Sequence, residues 1–145
     1  GVLALILVMA ARIGFLIALV SECTSLQLIM LLAIFHGAAR FQPVAQLACF
    51  SISPHAKLAI LTSRPDALRL MVGAWVWILP LIWLASWRVS VLVVILSVLF
   101  CSYAIGYLAT RQVGGLTGDV MGGTILLGEI TMLASWVIML NLGLL

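Results

Sequence analysis

"VSVLVVILSVLFCSYAIGYLA", residues 89–109, runs its whole length without a charged side chain. As a helix rising 1.5 Å per residue, a stretch of this length crosses the roughly 30 Å hydrocarbon core of a bilayer. Comparable apolar blocks recur on both sides of it, separated by short polar breaks. The chain has 145 residues, 66% hydrophobic and 8% charged, against roughly 25% charged in ordinary soluble domains. Such a composition offers too little polar surface to coat a water-facing globule. The expected fold is therefore all-α, a polytopic membrane helical bundle forming a single transmembrane domain over residues 1–145. The formal charge of +3 is small and spread along the chain, which fits orientation in a lipid bilayer and argues against nucleic-acid binding. Cys23, Cys49 and Cys101 match no metal or CxxC spacing, so packing is the role expected of each.

Five spans can be drawn outward from that stretch. They cover about Val2 to Val20, Leu26 to Phe50, Ala67 to Trp87, Val89 to Ala109 and Val120 to Leu142. The polar cluster from Ser21 to Ser25 ends the first. His36, Arg40 and Pro43 interrupt the second, whose last two turns are expected to kink or leave the hydrocarbon. The connector "SISPHAKLAILTSRPDALR", residues 51–69, holds two prolines and places Asp66 as a cap for the third span. Along that span stand Trp75, Trp77, Trp83 and Trp87, several of which suit the membrane interface. The segment "GVLALILVMAARIGFLIALV", residues 1–20, has no basic n-region and carries Arg12 in its middle, so it reads as a span of a larger bundle and not as a signal peptide.

If the spans alternate, the second and fourth connectors share a side and hold Lys57, Arg64, Arg69 and Arg111, while the opposite side holds Arg88. That imbalance places the glycine-rich fourth connector in the cytoplasm.

In that connector, "RQVGGLTGDVMGGTILLGEI" (residues 111–130) collects the polar residues that the spans avoid. Gly114, Gly115 and Gly118 let the backbone approach a ligand closely, and Asp119 stands where a helix N-cap is expected. Free amides at a helix start favour an anion, whereas the Asp119 carboxylate could hold a Mg²⁺ bridging phosphates. The plainer reading is a connector whose aspartate caps the helix and whose Gly118 and Gly122 form a GxxxG packing pair. Glu129 is costly inside an apolar span and marks a functional or paired position. It lies about 15 Å along the helix from Asp119, too far to share one metal. Arg12 and Arg40 read either as cations for phosphate groups or as side chains that snorkel or pair with Glu129 or Glu22. His36 shares a face with Arg40 and suits a hydrogen bond to a neighbouring helix. His55 has no second ligand at metal spacing.

"GGLTGDVMGGTILLGEI" resembles the C-terminal signature of the cobalamin synthase family, the adenosylcobinamide-GDP ribazoletransferases. That signature is GG-x-TGD-x-x-G, followed by a span with an E-L-G-E element. Gly114, Gly115, Thr117, Gly118, Asp119, Gly122, Gly128 and Glu129 match it, with Arg111 at its upstream basic position. "GVLALILVMAAR", ending at Arg12, and "AAR", ending at Arg40, resemble two further family elements. The resemblance implies a multi-pass enzyme of the bacterial inner membrane. It would join adenosylcobinamide-GDP with α-ribazole, or α-ribazole 5′-phosphate, releasing GMP with the help of Mg²⁺. Asp119 and Arg111 would then be catalytic, Asp119 also holding the metal. Gly114, Gly115, Thr117, Gly118, Arg40 and Glu129 would bind substrate.

Three departures accompany the resemblance. The family's aspartate-rich motif lies upstream of the region resembling Gly1, so the missing N-terminal half of the bundle is an expected partner and the chain alone is expected to be inactive. Leu126 replaces the first glutamate of E-L-G-E. "PHAKLAI", residues 54–60, stands in place of a Y-A-R-like element. The competing classes are a non-catalytic membrane component or transporter fragment, and an inactive relic of the transferase. Transport requires a polar pathway through several spans, whereas a transferase gathers its polar groups at one face.

Overall fold

The computed structural model describes residues 2–54, 65–84 and 89–144. Five helices follow one another: α1 (Val2–Glu22), α2 (Ser25–Cys49), α3 (Ala67–Leu84), α4 (Val89–Val113) and α5 (Gly118–Asn141). Of these, α2, α4 and α5 contain segments long and apolar enough to cross a bilayer. The expected helical membrane bundle is thus the observed architecture. Residues 55–64 and 85–88, with His55, Lys57, Arg64, Trp87 and Arg88, lie outside the described residues.

Local chemistry sets the breaks. At the end of α1 the chain turns through Cys23 and Thr24, and Thr24 starts α2 with a capping box. Its hydroxyl accepts from the Gln27 amide at 3.4 Å, while Gln27 Oε1 accepts from the Thr24 amide at 3.0 Å. Two otherwise orphaned helix-start donors are thereby satisfied. Pro43 does not end α2, which continues to Cys49. Its neighbours hold the helix through the lost hydrogen bond, for Pro43, Gln42, Gln46 and Leu47 are all buried.

The centre of the bundle is α5, which rests on α4, α2 and α1; α3 leans on α2, and α1 and α2 touch each other little. One cluster joins these helices through Leu31, Phe35, Val94, Met132, Leu133 and Trp136. Phe35 and Trp136 meet edge to face with centroids 5.8 Å apart, an arrangement favoured by the ring quadrupoles. The outward faces of α3 and α4 carry Met71, Trp83, Leu96 and Phe100, large apolar side chains that would be a liability in water and are ordinary against lipid. Trp77 packs within the bundle, its ring against Gly37 of α2, where a Cβ would collide with it. Helix-to-helix closeness, absent from the period of one sequence segment, decided that placement.

Both inter-helix connections that bear on function meet at one end. Ile52 and Leu116 form an isolated parallel bridge. The Ser53 amide donates to the Leu116 carbonyl at 3.0 Å, and the Leu116 amide donates to the Ser51 carbonyl at 2.9 Å. The end of α2, the end of α4 and the start of α5 therefore share one face of the bundle, as alternating spans require. The Cys23–Thr24 turn sits at the other end.

Candidate functional site

Two polar clusters emerge, one at the loop end and one at mid-bundle. At the loop end, Gly114 (φ 77°) and Gly115 (φ 147°) carry the chain from α4 to α5 in conformations that L side chains rarely adopt. Gly115 serves a second purpose. A Cβ there would stand 2.6 Å from the Ser53 nitrogen and 2.7 Å from the Ser51 oxygen, inside the backbone that the bridge ties to it. Leu116, fully buried with Leu47 and Met121, anchors the loop from below. The Ser53 hydroxyl donates to the Val113 carbonyl at 3.3 Å, fastening the end of α4 to the same strip.

The cap of α5 is Thr117, correcting the placement of Asp119 as N-cap. Thr117 has an extended backbone (φ −123°, ψ 165°) and its hydroxyl accepts from the Val120 amide at 3.4 Å. Helix α5 accordingly starts at Gly118, two residues before the sequence-based boundary. Asp119 stands exposed in the first turn. There its charge complements the positive end of the helix while its carboxylate is left open. The GxxxG expectation also fails within the described residues, because Cβ atoms at Gly118, Gly122 and Gly123 would meet nothing within 4 Å. The close approaches fall instead at Gly37, Gly73, Gly106 and Gly128.

At mid-bundle, Glu129 is 5% exposed. Arg12 Nη1 of α1 lies 3.0 Å from its Oε2, and His36 Nδ1 of α2 meets its Oε1. An ionised carboxylate only accepts, so the imidazole donates from Nδ1. Placing an Arg or an acidic residue at a helix centre costs about 2.5–3.5 kcal/mol on insertion scales, and mutual pairing is what makes all three tolerable. Of the alternatives open to Arg12, pairing with Glu129 is the one realised.

The structure divides the other candidates. Gly114, Gly115, Thr117, Gly118 and Asp119 come together at the loop end. Arg111, at the end of α4, is exposed with its guanidinium 5.4 Å from the Tyr107 ring centroid. Arg40 is exposed on α2, and Glu129 belongs to the separate cluster. Asp66 precedes α3, as expected of a cap, but its carboxylate lies 3.5 Å from Arg69 Nε.

Sequence reasoning missed a polar ladder between α2, α4 and α5. Gln46 Nε2 donates to the Ser102 carbonyl at 2.7 Å, and the Thr124 hydroxyl donates to Gln46 Oε1 at 3.3 Å. Ser97 and Ser135 hydroxyls meet at 2.9 Å. One turn from Gln46, Gln42 is buried against Gly128, with no hydrogen-bond partner for either amide atom among the described residues. The signal was present, since Gln42 and Gln46 are polar residues at i and i+4 inside an apolar run.

Among the described residues, no group of three or more His, Cys, Asp or Glu side chains could hold a metal. Asp119 offers one carboxylate at the loop end, which does not by itself make a magnesium site.

Fold and site together define a polytopic helical membrane protein whose glycine loop and acidic helix start are fixed at one end of the bundle. The chain belongs to the cobalamin-5-phosphate synthase family, whose family model matches residues 1–137. Searches of the curated proteins and of the solved structures find no match. Family membership carries a role in cobalamin biosynthesis and agrees with the resemblance drawn from the glycine motif.

Proposed function

We propose that this chain takes part in joining adenosylcobinamide-GDP to α-ribazole 5′-phosphate at the loop end of the bundle. The family description names cobalamin 5-phosphate as the product, which favours the phosphorylated acceptor over free α-ribazole. In the balanced reaction, a hydroxyl oxygen of the acceptor bonds to the phosphorus attached to cobinamide, the bond from that phosphorus to GMP breaks, and GMP leaves. The acceptor hydroxyl loses its proton as the new ester forms.

The observation that carries this reading is the Ile52–Leu116 bridge. It holds the glycine turn and the first turn of α5 in a fixed place on the side where substrate would arrive. Phosphoryl transfer asks mainly for positioning and charge complementarity. The amides of Gly118 and Asp119 at the helix start suit phosphate oxygens. Arg111 is the nearest cation in sequence, and Asp119 is proposed as one of several ligands to Mg²⁺. The described residues do not complete the ion's site. The proposed location is the inner membrane with the loop in the cytoplasm, where nucleotide substrates reside.

GMP release from adenosylcobinamide-GDP, with α-ribazole 5′-phosphate present, tests the reading. The expected result is no release from the isolated chain and release once it is joined to a family N-terminal half, abolished by Asp119→Asn without loss of membrane insertion. Release unaffected by Asp119→Asn would remove the loop from the chemistry.

A further inference from the structure

Arg12, His36 and Glu129 stand near the middle of helices of 21, 25 and 24 residues. Their shared contact therefore lies close to the bilayer midplane, about 15 Å from either edge of the hydrocarbon. A single side chain cannot snorkel that distance. Glu129 is covered, its side chain 6% exposed, but the side chains of Arg12 and His36 are 33% and 44% exposed. Each spends one nitrogen on Glu129, and both line a small cleft between α1, α2 and α5. Leu32, Phe35 and Leu133 form the cleft's apolar walls. Hydrocarbon cannot satisfy a guanidinium or an imidazole, and ionisable residues within spans face protein or water-filled cavities.

We propose that this cleft is closed by a further transmembrane helix from outside residues 1–145, presenting a hydrogen-bond-accepting side chain at mid-bilayer. Charge complementarity names the partner's chemistry. Arg12 and Glu129 cancel, and the remaining Arg12 donors have no acceptor among the described residues. A carboxylate or side-chain amide oxygen on the incoming helix meets those guanidinium donors. A second copy of this chain does not qualify. The sequence has four acidic residues. Glu22, Asp66 and Asp119 lie at helix ends, as do the amide side chains of Gln27, Gln112 and Asn141; Glu129 is already engaged, and Gln42 and Gln46 are buried. Helix α1 is also the natural place for such a neighbour, because it rests on α5 and leaves its opposite face, with Ile6, Ile13 and Ile17, uncovered.

Nitroxide labels at Met9 and Ala33 read what covers the cleft, each being exposed and three residues before Arg12 or His36. The native protein would be extracted in native-lipid discs, with Cys23, Cys49 and Cys101 replaced by Ala. Leu96 on the outer face of α4, 65% exposed, supplies the lipid-facing reference. The expected result is low accessibility to both oxygen and a water-soluble nickel chelate at Met9 and Ala33, with high oxygen accessibility at Leu96. In the Arg12→Leu, His36→Leu, Glu129→Leu variant, oxygen accessibility at Met9 and Ala33 should rise several-fold while Leu96 stays unchanged. High oxygen accessibility at the cleft before that substitution would mean lipid, and high chelate accessibility would mean water; either overturns the proposal. So does a short label-to-label distance between copies, which would make the partner a second chain of this protein. Labels that stay covered in the triple variant would overturn the acceptor.

Discussion

Arg12 Nη1 lies 3.0 Å from Glu129 Oε2, joining α1 to α5 across 117 positions of sequence. Helix α5 is apolar nearly all round, so its rotation is poorly specified by apolar packing, and in a bilayer the hydrophobic effect gives little help. Its polar contacts set the rotation instead: Glu129 to Arg12 and His36, Thr124 to Gln46, and Ser135 to Ser97.

Removing Glu129 alone should therefore be worse than removing the whole cluster. Glu129→Leu strands Arg12 and His36 in an apolar setting, a change expected to cost about 3 kcal/mol. Adding Arg12→Leu and His36→Leu should restore most of that loss. Reversible unfolding in bilayer discs by steric trapping measures both variants, and a triple variant weaker than Glu129→Leu would contradict the account.

Substitutions at the two glycines of the turn should differ in severity. Gly114→Ala meets open space and bears the positive φ alone, about 1–2 kcal/mol. Gly115→Ala bears its own φ and must also push apart the Ser51–Ser53 backbone. A disulfide between cysteines placed at Ile52 and Leu116 reports the bridge. Its yield should fall sharply in Gly115→Ala and only modestly in Gly114→Ala.

Capping and ligation separate at neighbouring residues. Thr117→Ala removes the hydroxyl that accepts from Val120 and should cost around 1 kcal/mol of stability. Asp119→Asn leaves that cap in place, so stability should change little while GMP release falls by orders of magnitude. Equal effects of the two variants on stability would show that Asp119 shares the capping role.

The native cysteines report orientation. Cys49 is exposed at the loop end of α2 and Cys23 is half-buried in the turn at the other end. Maleimide added from the cytoplasm should modify Cys49, and only reagent reaching the opposite side should modify Cys23. Burial first, and the Glu22 carboxylate second, push the Cys23 thiol above its usual range. A raised pKa leaves less thiolate at a given pH, so Cys23 labelling should be slow near neutrality and accelerate as the pH climbs through its folded-state value. Modification of Cys49 from the periplasmic side alone would invert the topology.

The sequence by itself determined the bundle, because span length and the scarcity of charge are properties of contiguous residues, as is the break at Ser21–Ser25. It also exposed Glu129, since an acid in an apolar run is costly wherever the helix lies. Tertiary structure alone decided which partners neutralise that acid. Arg12 and Arg40 look alike in the sequence, yet one reaches Glu129 and the other is exposed. The same held for the glycines: Gly118 and Gly122 have packing spacing but open surroundings, while Gly37 and Gly128 receive Trp77 and Gln42. Thr117 displaced Asp119 as the cap because the Leu116 bridge fixes where the extended backbone ends and the helix begins. Pairing, close approach and the start of α5 all depend on the relative rotation of helices far apart in sequence, and that rotation is set by contacts which no local pattern records.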